Sequence, residues 1–221
     1  MIKVENIEVA GFEHAVRGAR NPMSSWGKSD SDYEVANLCD HDFRIGDADM
    51  SLLQRLYKAG VEHRTYARMI YVWMDITAPL YWWKEMDRYG VGKSQVSTST
   101  MHKIHAKEFT LNDFSYEHLT LGDFDEEDYP LHYDGIGTLA RIVVALNEFR
   151  TMYLETKDKK WWWQMIQLLP TSYNQKRTVC MSYEVVFKII KERTGHKLDE
   201  WNDFVEILKD LPYVKEIMGE I

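Results

Sequence analysis

The stretch Thr77–His105, TAPLYWWKEMDRYGVGKSQVSTSTMHKIH, limits the fold more than any other part of the chain. Pro79 suits the first position of a helix, where its missing N–H costs nothing, and Gly90 suits the position just past a helix end. Between them Leu80, Trp83, Lys84, Met86 and Asp87 give a short helix with one apolar face. After Gly90 comes VGKSQVSTSTMHK, in which Gly92 lets backbone approach a ligand. Lys93, Ser94, Gln95, Ser97, Thr98, Ser99 and Thr100 follow with hydrogen-bond donors. Such a composition suits an anionic, hydrogen-bonding ligand such as a nucleotide. It equally suits a polar surface loop whose hydroxyls cap the next element.

Elsewhere the chain alternates between the two regular periodicities. Lys3 to Val9 sets Val4, Ile7 and Val9 among polar residues, as a first strand would. An Ala/Arg helical turn follows, carrying Arg17 and Arg20, and then a loop rich in Asn, Pro, Ser, Gly and Asp. Asp47 or Asp49 can cap a helix over MSLLQRLYKAG, with Leu52, Leu53, Leu56 and Tyr57 at helical spacing and Gly60 as the stop. His63–Ile76 reads as a strand covered on both faces, or as a buried helix of that length. The spacing predicts a helix over Gly137–Leu154, striped by Leu139, Ile142, Val143, Leu146, Phe149 and Tyr153, and another from Trp161 that Pro170 halts. Consecutive Trp161, Trp162 and Trp163 must point in different directions around that helix, so at least one faces a cleft or partner. Helices over Ser182–Arg193 and Leu198–Leu208 precede a tail beginning at Pro212. With 221 residues, no repeat and no linker, the expectation is one α+β domain spanning 1–221.

Composition narrows the function classes. A net charge of −8 argues against general nucleic-acid binding, which needs a basic surface, but leaves room for a local phosphate pocket. Cys39 and Cys180 are far apart and neither sits in a CxxC, so a disulfide framework or structural zinc is not expected. MIKVENIEV has no apolar signal core and no window approaches a membrane span, so the default compartment is the cytoplasm. The acidic run DFDEEDYP from Asp123 to Pro130 lacks EF-hand spacing and reads as solvated. His102 and His105 can share a helix face, yet no acidic third ligand stands at a telling distance, so no metal is expected. There is no GxSxG, no GxGxxG and no Walker loop.

Three polar clusters remain beside aromatic runs: His63, Arg64 and Arg68; Arg88 to His102; and Tyr173, Asn174, Gln175, Lys176 and Arg177. Guanidinium forks for phosphate and rings for stacking suit a phosphorylated planar ligand.

At these clusters the chain resembles the flavin-dependent thymidylate synthase family (ThyX), and within it ThyX-like proteins of phage and Firmicutes type. AVRGAR at 15–20 resembles the family's early arginine segment, and SLLQRLYKAGVEHR its helix leading to a flavin-contacting histidine. APLYWWKEMDRYGVGKSQVSTSTM falls where the family has RHRxxSxNExSxRY. LLPTSYNQKRTV and YEVVFKIIKERTGHKLDEW fall on its LP motif, its asparagine–arginine helix and its HAQWEI-like end. Arg88 keeps the first arginine of the hallmark, while Tyr89 and Gly90 replace its histidine and second arginine. Ser97 and Ser99 are candidates for its serine, with Thr100 and Met101 replacing the closing Arg-Tyr. Glu184 stands where the family binds the deoxyuridylate phosphate with an arginine, and Arg193 keeps a later arginine.

The resemblance implies a ThyX-like α+β fold, a sheet with a helical core. It implies FAD as cofactor, a pyrimidine nucleotide such as dUMP as partner, one-carbon transfer, and a homotetramer. His63, Arg64, Arg68 and Arg88 become the cofactor-binding candidates. Lys93, Gln95, Ser97, Ser99, Arg177 and Arg193 become the substrate-binding candidates. The alternative is a catalytically inactive relative that keeps the oligomeric scaffold for binding or regulation.

Overall fold

The computed structural model describes residues 2–37, 40–121 and 134–219. Cys39 and the acidic run 123–130 lie outside them. Among the described residues, β1 (Lys3–Ala10), β4 (Tyr71–Pro79), β6 (Asn174–Ser182) and β5 (Lys93–Ser97) form one sheet in that order, and β2 (Asp32–Asn37) pairs antiparallel with β3 (Asp40–Arg44). The helices are α1 (Phe12–Arg20), α2 (Asp47–Ala59), α3 (Leu80–Met86), α4 (Thr100–Lys103), α5 (Gly135–Thr156), α6 (Lys159–Leu168), α7 (Tyr183–Arg193), α8 (Asp199–Lys209) and α9 (Val214–Met218). Helices combine with a four-stranded sheet, a mixture the α+β reading expects. No described helix is long and apolar enough to cross a membrane.

The chain divides into two compact units. The first comprises Met1–Lys3, Ile76–Asp87 and Val96–Arg177. Its core is the α5 stripe the periodicity predicts: Leu139, Val143 and Leu146 pack with Met165 of α6 and with Ile104, Phe109 and Phe114 from the irregular stretch between α4 and α5. The three consecutive tryptophans do diverge. Trp161 stacks on Phe149 at 6.0 Å, Trp162 donates its indole N–H to the Met101 carbonyl at 3.0 Å, and Trp163 stays 43% exposed. Two further tryptophans, Trp82 and Trp83, are wholly buried on α3, edge to face at 4.9 Å.

The second unit comprises Val4–Asp75, Arg88–Gln95 and Thr178–Ile221. Tyr183 and Phe187 of α7 and Trp201 and Phe204 of α8 fill it with rings that meet edge to face. Gly11 is required where the chain enters α1. Its φ is +106°, and a Cβ there would stand 2.2 Å from the Met69 carbonyl oxygen.

Several expectations need correction. Residues 61–63 and 65–69 form 3-10 turns, so only the second half of His63–Ile76 is strand. That strand is covered on one face alone: Val72, Met74 and Ile76 are buried, whereas Tyr71 and Trp73 are each 38% exposed. Pro79 sits one residue before α3 rather than inside it, and the helix ends at Met86, before Gly90. The polar stretch after Gly90 is partly strand β5, because Lys93–Ser97 pairs into the sheet. The loop foreseen before α2 contains the β2–β3 hairpin.

Neither Asp47 nor Asp49 caps α2. The cap comes from Asp30, whose carboxylate accepts from the N–H groups of Ala48 at 2.8 Å and Asp49 at 3.0 Å. Asp49 is freed for another role. At 1% exposure it accepts from Arg20 Nε, Ser29 Oγ and Ser31 Oγ, each at 2.6 Å, tying α1, the 29–31 loop and α2 together. Burial pushes its pKa up, but those three donors outweigh burial and hold it below the usual carboxylate value. We therefore expect Asp49→Asn to destabilise the protein by about 3 kcal/mol in denaturant titrations near neutral pH. A carboxylate with a lowered folded pKa contributes its stability above the unfolded value of about 3.9 and loses it as the pH falls through the folded value. The gap between wild type and Asp49→Asn should close over that acidic range.

Candidate functional site

In the first unit, β6 opens with Asn174 and the chain approaching it bonds to three different segments. The Tyr173 and Thr171 carbonyls accept from Leu80 and Tyr81 at the start of α3, at 3.0 and 3.1 Å. Ser115 N–H donates to the Ser172 carbonyl at 2.8 Å beside an antiparallel bridge between Phe114 and Tyr173. Thr98 N–H donates to the Lys176 carbonyl at 2.9 Å. These bonds gather residues from opposite ends of the unit's sequence around a cleft of about 490 Å³.

The cleft has one aromatic wall, Phe109 and Tyr173, whose rings stand 6.4 Å apart. Its rim carries Thr98, Ser99 and Thr100 on one side and Asn174 and Lys176 on the other. Lys103 and Lys107 close the end, with Lys107 bonded to Asp113 and Lys103 exposed. Ser99 Oγ accepts from the His102 N–H at 3.1 Å, so this hydroxyl caps α4. Burial pushes the Tyr173 phenol pKa up, the Asp113 carboxylate adds to that, and Lys107 opposes it, so the ring stays a neutral donor at physiological pH. The Phe109 wall is fixed from behind by Asn147 of α5. That amide accepts from Phe109 N–H at 2.8 Å and donates to Phe109 C=O at 2.9 Å, as a neighbouring strand would. Arg150, one turn further on, holds the His105 carbonyl at 3.0 Å.

Behind the rim lies a chain of contacts that begins at Trp83. The Arg177 guanidinium stacks over this ring at 4.2 Å and its Nη1 donates to Asp87 at 2.8 Å. Arg177 Nε donates to Gln175 Oε1 at 2.9 Å, and Gln175 Nε2 donates to the Thr98 carbonyl at 3.0 Å. Trp83 Nε1 donates to the Gln175 carbonyl at 2.9 Å. Arg177, a sequence candidate for anionic groups, holds Asp87 and Gln175, and Gln175 holds the rim.

The other sequence candidates divide between the units. Ser97 is exposed at the end of β5 and does not line the cleft. In the second unit Lys93 donates to Gln95 at 2.9 Å, so this pair partners itself. Arg193 is 8% exposed, donates to Tyr89 Oη at 2.9 Å and lies over Trp201 at 4.5 Å; its guanidinium is enclosed by rings rather than offered to a ligand. Arg64 lies over Tyr57 at 4.0 Å and donates to the Tyr57 carbonyl at 3.0 Å. His63, Arg68 and Arg88 are exposed. One carboxyl oxygen of Glu184 is buried with no hydrogen-bond partner among the described residues. Burial raises the Glu184 pKa, and the charges of Arg64, Arg68 and Lys188 oppose the rise.

Two of the three polar clusters singled out in the sequence thus meet at one cleft. Sequence reasoning missed Lys107, Phe109 and Asn147, which lie where periodicity fades or on a helix read only for its apolar stripe. No group of His, Cys, Asp and Glu among the described residues is arranged to hold a metal ion.

No family model matches the sequence, and no curated protein matches it. Solved structures do. A flavin-dependent thymidylate synthase ThyX from Helicobacter pylori, complexed with FAD and dUMP, superposes with a TM-score of 0.66 at 17% identity, covering 99% of this chain and 98% of that one. A second structure of the Helicobacter pylori enzyme with the same ligands gives 0.66 at 16% identity, covering 100% and 98%. A UMP/dUMP methylase PolB from Streptomyces cacaoi, bound with 5-Br dUMP, gives 0.61 at 16% identity, covering 95% and 88%. The chain has a ThyX-like fold.

Replacing Gln175 with Leu should leave the Thr98 carbonyl and Arg177 Nε unpaired, at a cost of about 1–3 kcal/mol in unfolding free energy. Amide exchange at Thr98 should quicken more than exchange in α5, because the loss is local to the rim.

Proposed function

We propose that the cleft between Thr98–Lys107 and Tyr173–Lys176 binds a pyrimidine nucleotide, and that the protein is a flavin-dependent nucleotide-modifying enzyme, of the kind that transfers one carbon to a substrate such as dUMP. The observation that carries the reading is the convergence of lysines, hydroxyls and an aromatic wall on one cleft of a ThyX-like fold. Lys103, exposed at the end of the cleft, suits a phosphate, Thr98, Thr100 and Asn174 suit sugar and base edges, and Phe109 and Tyr173 offer flat apolar surface to the ring.

FAD fits the second unit on the chemistry of its donors. His63, Arg68 and Arg88 are exposed donors that would suit a diphosphate. When bound, the flavin supplies the redox step. The protein's own residues position the nucleotide: the Gln175 amide fixes the rim, Asn147 fixes the aromatic wall, and Lys103 neutralises the phosphate. A homotetramer is the assembly we expect, and the exposed Met69, Tyr71 and Trp73 of the second unit are apolar surface that assembly would cover.

A second reading, an inactive relative that binds without turning over, draws on Arg177 and Arg193. Both guanidiniums are held internally and contribute no free charge to a substrate.

Calorimetric titration of the purified protein with dUMP and with deoxyuridine tests the nucleotide assignment. Lys103→Glu should weaken dUMP binding about tenfold while leaving deoxyuridine unchanged, since a single phosphate contact is lost. Equal effects on both ligands would place the phosphate elsewhere. An absorbance spectrum should show bound flavin, or uptake of added FAD; protein that stays colourless under both conditions would favour the second reading.

A further inference from the structure

A cavity of about 570 Å³ in the second unit is built from a different set of residues and calls for a different ligand. It opens where β1 runs into α1, against the β2–β3 hairpin and the turn that starts α9. Four of its lining residues are aromatic and pack as two edge-to-face pairs, Phe12 with Tyr213 at 5.1 Å and Tyr33 with Phe43 at 5.3 Å. Two carboxylates, Glu13 and Glu216, line the same space, and among the described residues no lysine or arginine does.

The rings and acids are held in place. Tyr33 Oη donates to Glu13 Oε2 at 2.7 Å, which fixes that carboxylate beside the hairpin. Tyr213 Oη accepts from Ile45 N–H at 3.3 Å, joining the α9 turn to the end of the hairpin. His14, which also lines the cavity, has Nδ1 at 3.2 Å from an Arg17 guanidinium nitrogen.

Aromatic faces carry negative potential and attract cations, and carboxylates add to the attraction where water is partly excluded. A metal ion is a poor occupant, because hard cations take six or more oxygen ligands and the only carboxylates among the described lining residues are Glu13 and Glu216. An organic cation matches both surfaces: its charge faces the acids and its alkyl groups face the rings. We propose that this cavity is a binding site for an alkylammonium ligand. None of its residues belongs to the nucleotide cleft, so the two assignments stand or fall separately.

The test compares choline with 3,3-dimethyl-1-butanol, its uncharged counterpart of nearly the same shape, by NMR titration of the full chain. Choline should bind saturably and about tenfold more tightly than the alcohol, with shifts at Phe12, Tyr33, Phe43 and Tyr213. The Glu13→Gln/Glu216→Gln variant should bring choline down to the alcohol's affinity. If the double variant does not fold, as judged by circular dichroism, Glu216→Gln alone carries the test, because Glu216 is exposed and its change leaves the ring pairs intact. Equal affinity for the two probes, no binding of either, or choline binding that survives the loss of the carboxylates would overturn the assignment.

Discussion

The stacking of Arg177 on Trp83 is the contact on which the cleft depends. A guanidinium over an indole face gains cation–π attraction, and its planar fork then has fixed directions in which to donate. One direction meets Asp87 and another meets the Gln175 side chain, whose amide holds the Thr98 carbonyl. The rim of the cleft therefore inherits its position from a ring buried beneath α3. Trp83 is 0% exposed, so that ring has nowhere else to go. Rigid support of this kind suits a site whose own groups are flexible lysines and hydroxyls. A nucleotide held by side chains with many rotamers would lose affinity to the entropy of ordering them unless the backbone beneath were already placed.

Asp49 does comparable work in the second unit. A buried carboxylate is costly unless its oxygens are fully bonded, and here Arg20, Ser29 and Ser31 converge on it. Asp30 is left to cap α2, so two adjacent acidic positions in space divide the labour of closing the 29–31 loop. A chain that places this many donors and acceptors in mutual satisfaction has its loops specified nearly as firmly as its helices.

The long helix α5 was legible because its apolar stripe repeats from Leu139 to Tyr153, and α7 and α8 were legible for the same reason. What periodicity could not reveal was anything set by distant partners. The α2 cap was misassigned because Asp30 reaches it from seventeen residues before Asp47, a relation with no local signal. Arg177 was read as anion-binding because arginine beside aromatic residues is a phosphate signature, and Arg193 became a substrate-binding candidate through the resemblance, yet a guanidinium also stacks on a core tryptophan. The cleft itself was half legible. Its hydroxyl run and the Tyr173–Lys176 segment were both singled out by composition, whereas Asn147 is a half-buried amide on the packed face of a helix read only for its apolar residues. The resemblance to ThyX gave the fold, which the solved structures bear out, and it rested on the order of the segments more than on conserved letters, since Tyr89 and Gly90 replace the hallmark's histidine and arginine.

The central claim is that the Thr98–Lys107 and Tyr173–Lys176 segments together form a nucleotide site. Titrating dUMP into isotope-labelled protein and following backbone amides tests the location directly. Saturable shifts at Thr98, Thr100, Lys103, Phe109 and Tyr173, with the α8 amides unmoved, are the result this account predicts. Shifts confined to the second unit, or no shift at saturating dUMP, would contradict it.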